Sequence, residues 1–371
     1  MQTLPRAARA THAGAPDVPG VPPLIDLADL RARDPARRAA LGDRIGRAAR
    51  EGGFFRVCGH GIPQAVIEGA YAAAARFFAR PDAEKRRWYI GLSRNHRGYV
   101  PFTEKGDYAD EVHRAYESFD LGREGGLDDP GFRAGRLLSG PNVWPDDPGF
   151  RAAVTAYHDR VARLGRDLVA LLEGHLGLSR GAMAARMRRP ISQLRLLHYV
   201  RARRGADAAS VNMGAHTDYE VLTLLHTRNP GLQVLSPEGA WIDVPVDPRA
   251  LVVNIGDMME AWTDGAFRST PHRVLNRAPE RFSMPYFVAA DHDAVIAPFP
   301  ELRDPEPRDP DVPERYPPFL AGAHLERMLR RDFPYLRARA GAAGAAGGVT
   351  NPFEDRIRAA GGADEVSGET S

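Results

Sequence analysis

Short apolar runs and amphipathic stretches alternate through the first part of the chain. Leu24-Ile25-Asp26-Leu27 predicts a short strand, and Arg37 to Arg50, with Leu41, Ile45 and Ala48 or Ala49 at helical spacing, predicts an amphipathic helix. Gly53 to Cys58 is strand-like again, Gly59-His60-Gly61-Ile62-Pro63 ends it, and a helix is expected from Gln64 to Phe78. Trp88 to Pro101 mixes aromatic with hydrogen-bonding residues and reads as a loop over a pocket, while Tyr116 to Leu121 alternates like a strand. A linker rich in Gly, Asp and Pro occupies Gly122 to Gly149. Beyond it, apolar stations at Val154, Val161, Leu164, Leu168 and Leu172 predict a long spine helix from Phe150 to Leu176.

After Ile191 the pattern changes to short apolar runs: Leu194 to Val200, Val221 to Leu225, Gly231 to Leu235, Trp241 to Val244, Leu251 to Ile255, Arg273 to Asn276 and Ser283 to Ala289. With Pro237-Glu238-Gly239 and Asp264-Gly265 as turns, strands this dense predict an antiparallel jelly roll or barrel. In a rolled sheet, residues far apart in sequence can meet on facing strands. The organisation expected is a tail over 1–20, an N-terminal α/β region over 21–125, linker and spine helix over 126–190, the strand-rich region with a closing helix over 191–335, and a second tail over 336–371.

Composition narrows the classes. With 371 residues and 43% hydrophobic content, the chain can bury a large core without covalent staples. The single cysteine, Cys58, excludes an intramolecular disulfide and a cysteine-rich metal site. The chain opens on no charged-then-apolar leader pattern, and no run approaches the roughly 20 apolar residues that cross a bilayer. A cytoplasmic protein without a membrane partner is therefore expected. Of the 50 basic residues only Lys85 and Lys105 are lysine, yet 48 acids are spread among the arginines and the net charge is +2. No basic footprint emerges, so nucleic acid is not an expected partner.

The chemistry concentrates in His216-Thr217-Asp218 and His272. Of the 12 histidines, only His216 has an aspartate two positions on. Two imidazoles and one carboxylate are the ligand set that holds a non-haem Fe(II) on one face and leaves the other open for O2 chemistry. Arg281 and Ser283 follow His272, alternate with Phe282 and Met284, and so point the same way on a strand. A guanidinium fork with a hydroxyl beside it suits a carboxylate, and Tyr199 can add a phenol donor.

With these motifs in place, the chain resembles the non-haem Fe(II)/2-oxoglutarate-dependent oxygenases of the isopenicillin N synthase-like type. The resemblance runs from Pro22 to Arg331. It is carried by Pro23-Leu24-Ile25-Asp26-Leu27, Gly53-Phe54-Phe55, His60-Gly61-Ile62-Pro63, Asn142-Val143-Trp144-Pro145, His216-Thr217-Asp218, Val253-Asn254-Ile255-Gly256-Asp257, Ser269-Thr270-Pro271-His272-Arg273-Val274 and Arg281-Phe282-Ser283. It implies a mixed α and β fold, a distorted double-stranded β-helix (jelly roll) with flanking helices. It further implies iron on His216, Asp218 and His272, and the distal carboxylate of 2-oxoglutarate on Arg281, Ser283 and Tyr199. The activity implied is O2-dependent oxidation of a substrate C–H bond with release of succinate and CO2, hydroxylation being the default and desaturation or cyclisation the variants. An intact Asp218 argues against halogenation.

Arg94, Asn95, Arg97, Tyr116, Glu117 and Phe287 are the candidates for the wall around a small-molecule substrate, and Arg97 could instead pair with Glu117. An amino-acid, peptide or natural-product metabolite is the family-level expectation. Two alternatives stand beside this reading: a 2-oxoglutarate-independent iron oxidase resembling isopenicillin N synthase itself, and a metal-free jelly-roll binding module.

Overall fold

The computed structural model describes residues 20–104, 116–200, 211–303, 314–340, 351 and 353. Nearly all of the tail expected over 1–20 and most of that expected over 336–371 lie outside the described residues. Order nevertheless extends past 336, because a helix spans Pro334–Ala340 and both Asn351 and Phe353 are buried.

The N-terminal strands are β1 (Leu24–Asp26), β2 (Phe54–Cys58), β3 (Gly98–Val100) and β4 (Tyr116–Gly122). Next come β5 (Gln193–Val200), β6 (Val211–His216), β7 (Leu222–Thr227), β8 (Leu232–Leu235) and β9 (Trp241–Asp243). The last are β10 (Leu251–Ile255), β11 (His272–Leu275), β12 (Glu280–Val288), β13 (Val295–Ile296) and β14 (Phe319–Leu320). A larger sheet runs β1-β2-β10-β7-β12-β5-β4-β3 and a smaller one β6-β11-β8-β9, with β13 and β14 as a separate ribbon. The pairing of β1 with β2 is parallel and that of β12 with β5 and β7 antiparallel. Side chains of both sheets, Tyr199, Asn254 and Arg281 from the larger and His216, Leu232 and His272 from the smaller, line a single cavity. That is a jelly roll with its site between the layers, as the strand spacing predicts.

The N-terminal helices and the spine helix cover the outside of the larger sheet. The spine helix, Pro148–His175, begins on Asp147, whose side chain accepts from the backbone N–H groups of Gly149 and Phe150. All five apolar stations read from the sequence are buried, and the helix packs against those at Pro35–Gly52 and Gln64–Phe78. Phe77, near the end of the latter, meets Phe119 at 4.9 Å and Phe150 at 5.6 Å between ring centroids, which joins helix, sheet and spine in one aromatic cluster.

Gly53 links this scaffold to the site. It closes the first helix at φ 66°, and a Cβ there would come within 2.3 Å of Thr270 Oγ1 and 2.5 Å of the Arg268 carbonyl. Thr270 Oγ1 in turn donates to the Gly52 carbonyl at 3.0 Å, fixing the segment that leads into His272.

The stretch Trp88 to Pro101 is not a loop over the cavity. Its Trp88, Ile90, His96, Arg97 and Tyr99 are buried, and β3 pairs with β4 at the sheet edge. Arg97, fully buried, donates to the carbonyls of Leu138 at 2.8 Å and His96 at 3.0 Å. Asn95 donates to those of Ser139 at 2.8 Å and Pro141 at 3.0 Å, and Arg94 lies 5.0 Å over the Phe132 ring. Arg97 and Asn95 thus satisfy the protein's own backbone, and Arg94 packs on one of its own rings.

Glu117 is likewise internal. It accepts from Lys85 Nζ at 2.5 Å and Tyr99 at 2.5 Å and lies 2.8 Å from His198 Nδ1, so it pairs with these groups and not with Arg97. Burial works to raise its carboxyl, but the hydrogen bonds from His198, Lys85 and Tyr99 outweigh it and hold the group below its ordinary value. Glu117→Ala would leave buried Lys85 without its carboxylate and is expected to cost about 3 kcal/mol in urea unfolding at neutral pH. Because the folded-state pKa lies below the unfolded one, this stability is present above the unfolded value and lost as pH falls through the folded one. The gap between wild type and variant should therefore narrow on acidification; a gap independent of pH would contradict the assignment. No helix among the described residues is long and apolar enough to cross a membrane.

Candidate active site

His216 ends β6 and His272 begins β11, and the two are direct register partners in the smaller sheet. Asp218 follows two residues later, before β7. The ligand atoms of the three residues lie within 4.8 Å of one another. His272 Nε2 is 3.7 Å and His216 Nε2 3.9 Å from Asp218 Oδ1. Two atoms each about 2.1 Å from a common ion can be at most about 4.2 Å apart, so both separations fit one first-row divalent metal. Two nitrogens, one carboxylate oxygen and no sulfur suit Fe(II).

The surroundings aim these atoms inward. His216 Nδ1 lies 2.8 Å from the Gly214 carbonyl and His272 Nδ1 3.3 Å from that of Thr270, so each ring donates through Nδ1 and presents the lone pair of Nε2. Burial, with the neighbouring His216, lowers His272 to about 4 and keeps it a neutral ligand. Asp218 Oδ2 accepts from Asn254 Nδ2 at 2.7 Å and from the Thr223 hydroxyl, which leaves Oδ1 facing the imidazoles. Burial would raise Asp218, but His272, His216 and these two hydrogen bonds hold it down and ionised. Behind the triad, Thr217 and Asn351 donate to Asp257 Oδ2 at 3.3 and 2.8 Å, and Asp257 N donates to the Asp218 carbonyl at 2.8 Å.

Arg281 and Tyr199 are register partners on β12 and β5, and the guanidinium lies 4.7 Å over the Tyr199 ring. Arg281 Nη1 donates to Ser283 Oγ at 3.0 Å, which leaves the hydroxyl hydrogen available to a further acceptor. Arg281 is 2% exposed, its Nε is buried without a hydrogen bond, and no acid among the described residues pairs with it. A buried cation in this state is strongly favourable for an incoming carboxylate.

Comparison with known proteins agrees with the geometry. A 2-oxoglutarate-Fe(II) type oxidoreductase, hxnY of Emericella nidulans, is 32% identical over 330 residues, covering 87% of this chain and 92% of the relative. Residues 191–290 match the model of the 2OG-Fe(II) oxygenase superfamily. The chain belongs to this superfamily. The oxygenase's residues 22–147 also match the N-terminal model described for a non-haem dioxygenase in morphine synthesis. A homoarginine-6-hydroxylase of Arabidopsis thaliana, 2-ODD-C23.2, is 30% identical over 85% of this chain and 89% of its own. The crystal structure of a full-length Neurospora crassa protein in complex with alpha-KG superposes with a TM-score of 0.71 at 26% identity, covering 85% of this oxygenase and 97% of that chain. The family uses Fe(II), 2-oxoglutarate and O2.

The oxygenase's triad and buried arginine open on one cavity. Gln193, Arg195, Leu197 and Tyr199 of β5 and Arg281, Ser283, Pro285 and Phe287 of β12 line it at alternate positions, as the pleat requires. Tyr219 and Glu220 complete the wall with Leu329, Asp332 and Phe333 at the end of the helix Ala321–Asp332. Burial and the Asp218 carboxylate push Glu220 up to about 8, so it is neutral at physiological pH.

Of the wall candidates read from the sequence, Phe287 lines the cavity. Tyr116 packs behind Tyr199 at 5.2 Å, and Arg94, Asn95, Arg97 and Glu117 do not form the wall, for the reasons given above. Sequence reading assigned no site role to Gln193, Arg195, Thr223 or Asn254. The available signal was a polar residue at an inward position of an otherwise apolar strand, as in Leu222-Thr223-Leu224 and Val253-Asn254-Ile255.

Proposed function

We propose that His216, Asp218 and His272 hold the catalytic Fe(II), and that Arg281, Ser283 and Tyr199 bind the distal carboxylate of 2-oxoglutarate. With iron, cosubstrate and O2 bound, the site couples decarboxylation of 2-oxoglutarate to succinate and CO2 with oxidation of a substrate C–H bond. Arg281 supplies the counter-charge, the Ser283 hydroxyl a second donor, and the Tyr199 ring a flat support beneath the guanidinium. Asn254 and Thr223 keep one Asp218 oxygen occupied so that the other is presented to the metal. Leu197, Met213, Leu232 and Val274 give the cavity apolar walls that exclude water.

The observation that carries this reading is the buried Arg281, without an acidic partner among the described residues, in the same cavity as the triad. Relatives named as 2-oxoglutarate-dependent enzymes favour 2-oxoglutarate dependence over the 2-oxoglutarate-independent oxidase, which can carry the same Arg-x-Ser pair, and a metal-free binding module gives no account of three converging ligands. Hydroxylation of a small amino-acid, peptide or natural-product metabolite is supported by the hydroxylation of an amino acid stated in the name of the Arabidopsis thaliana relative. The reading includes a cytoplasmic setting and no nucleic-acid partner, in keeping with a net charge of +2 and a lone buried Cys58. Anaerobic addition of 2-oxoglutarate to the Fe(II)-loaded protein should produce the visible charge-transfer band of a chelated 2-oxo acid. A featureless spectrum would point to the 2-oxoglutarate-independent oxidase.

A further inference from the structure

β5 and β12 divide the cavity wall by function. Arg281 pairs in register with Tyr199 at one end of the ladder, and Phe287 with Gln193 at the other. The six residue steps from Arg281 to Phe287 span about 20 Å at roughly 3.3 Å per residue. Phe287 is also in register with Thr223, the residue that holds Asp218. Gln193 and Phe287 thus stand at the triad's level, away from the carboxylate anchor.

Gln193 is 4% exposed, lines the cavity, and has a buried Oε1 without a hydrogen bond. The carboxamide is an acceptor beside a donor, and its oxygen has no protein partner among the described residues, although buried side-chain amides are ordinarily satisfied. Arg195, two residues on, is differently placed. Its Nε lies 3.0 and 3.1 Å from the Asp120 oxygens and its Nη2 2.8 Å from Oδ2, while the guanidinium sits 5.6 Å from each of the Phe287 and Phe333 rings. Asp120 neutralises that charge, so the wall beside Gln193 offers an amide and aromatic faces and not a bare cation.

We propose that Gln193 is a substrate-specificity residue, reading a neutral, planar edge that carries an N–H donor next to a C=O acceptor, as in an amide, lactam or imide, with Phe287 providing the adjoining stacking face. This rests on the Fe(II)/2-oxoglutarate reading of the same cavity. The test uses the anaerobic Fe(II)·2-oxoglutarate enzyme with 2-pyridone, which presents both groups, and N-methyl-2-pyridone, which presents the carbonyl alone. Binding is followed by calorimetry, and the visible band serves as an independent check on cosubstrate binding. The wild type is expected to bind 2-pyridone at least tenfold more tightly than the N-methyl compound. Gln193→Leu should lose at least tenfold for 2-pyridone, with the preference gone and the band unchanged. Failure of the wild type to bind 2-pyridone, equal affinity for both probes, or unaltered binding in Gln193→Leu would overturn the assignment, leaving the carboxamide a partner for water only. Absence of the band would count against the cosubstrate reading instead, and calorimetry reads the subsite in either case.

Discussion

Asp218→Ala is expected to abolish succinate formation and to lose iron on desalting. The variant keeps two imidazoles but removes the carboxylate of the set, and it leaves Asn254 and the Thr223 hydroxyl without their shared acceptor. Changes to residues that merely support a metal ligand cost about 10–100-fold in affinity, so removal of the ligand itself should cost at least about 100-fold. Iron content by colorimetric assay, alongside succinate release, checks this. Stoichiometric iron and normal turnover in Asp218→Ala would end the assignment of the triad.

Arg281→Ala is expected to raise the KM for 2-oxoglutarate about 100-fold while iron content stays at the wild-type level. Truncating one partner of a buried, hydrogen-bonded charge pair costs about 2–5 kcal/mol, and about 2.7 kcal/mol corresponds to 100-fold. The loss should fall on cosubstrate binding because Arg281 stands well along β12 from the register position of the residues that hold Asp218. Arg281→Lys should recover only part of it, since a single ammonium lacks the fork and the flat contact over Tyr199 at 4.7 Å. Unchanged 2-oxoglutarate affinity in Arg281→Ala would show that the distal carboxylate is held elsewhere.

Much of this site was legible from residue order. The His-Thr-Asp triplet, the later His272 and the Arg-Phe-Ser run are chemical statements that survive without coordinates, and apolar periodicity placed the spine helix and most strands to within a few residues. Strand β6 was not picked out: Val211, Met213 and Ala215 alternate with Asn212, Gly214 and His216, but the small Gly214 and Ala215 make the signal weak, and the pairing of β6 with β11 gives the segment its order. The wall candidates show a second limit. A stretch such as Arg94-Asn95-His96-Arg97 is rich in hydrogen-bonding groups whether it faces a ligand or its own backbone, and here carbonyls from Leu138 to Pro141 claim Asn95 and Arg97. Gln193 and Asn254 were hidden for the opposite reason. Asn254 sits between apolar neighbours that mark the run as core and Gln193 at the edge of such a run, and a polar residue there becomes informative only when the facing strand is known.

The β5/β12 ladder bears on how such an enzyme can diversify. One end of the two strands faces the Arg281 grip and the other meets the cavity at the level of the metal loop, so exchanges at Gln193 and Phe287 are spatially insulated from Arg281, Ser283 and Tyr199. Duplicated copies of the gene can therefore drift in what they accept while the oxidising engine is inherited intact.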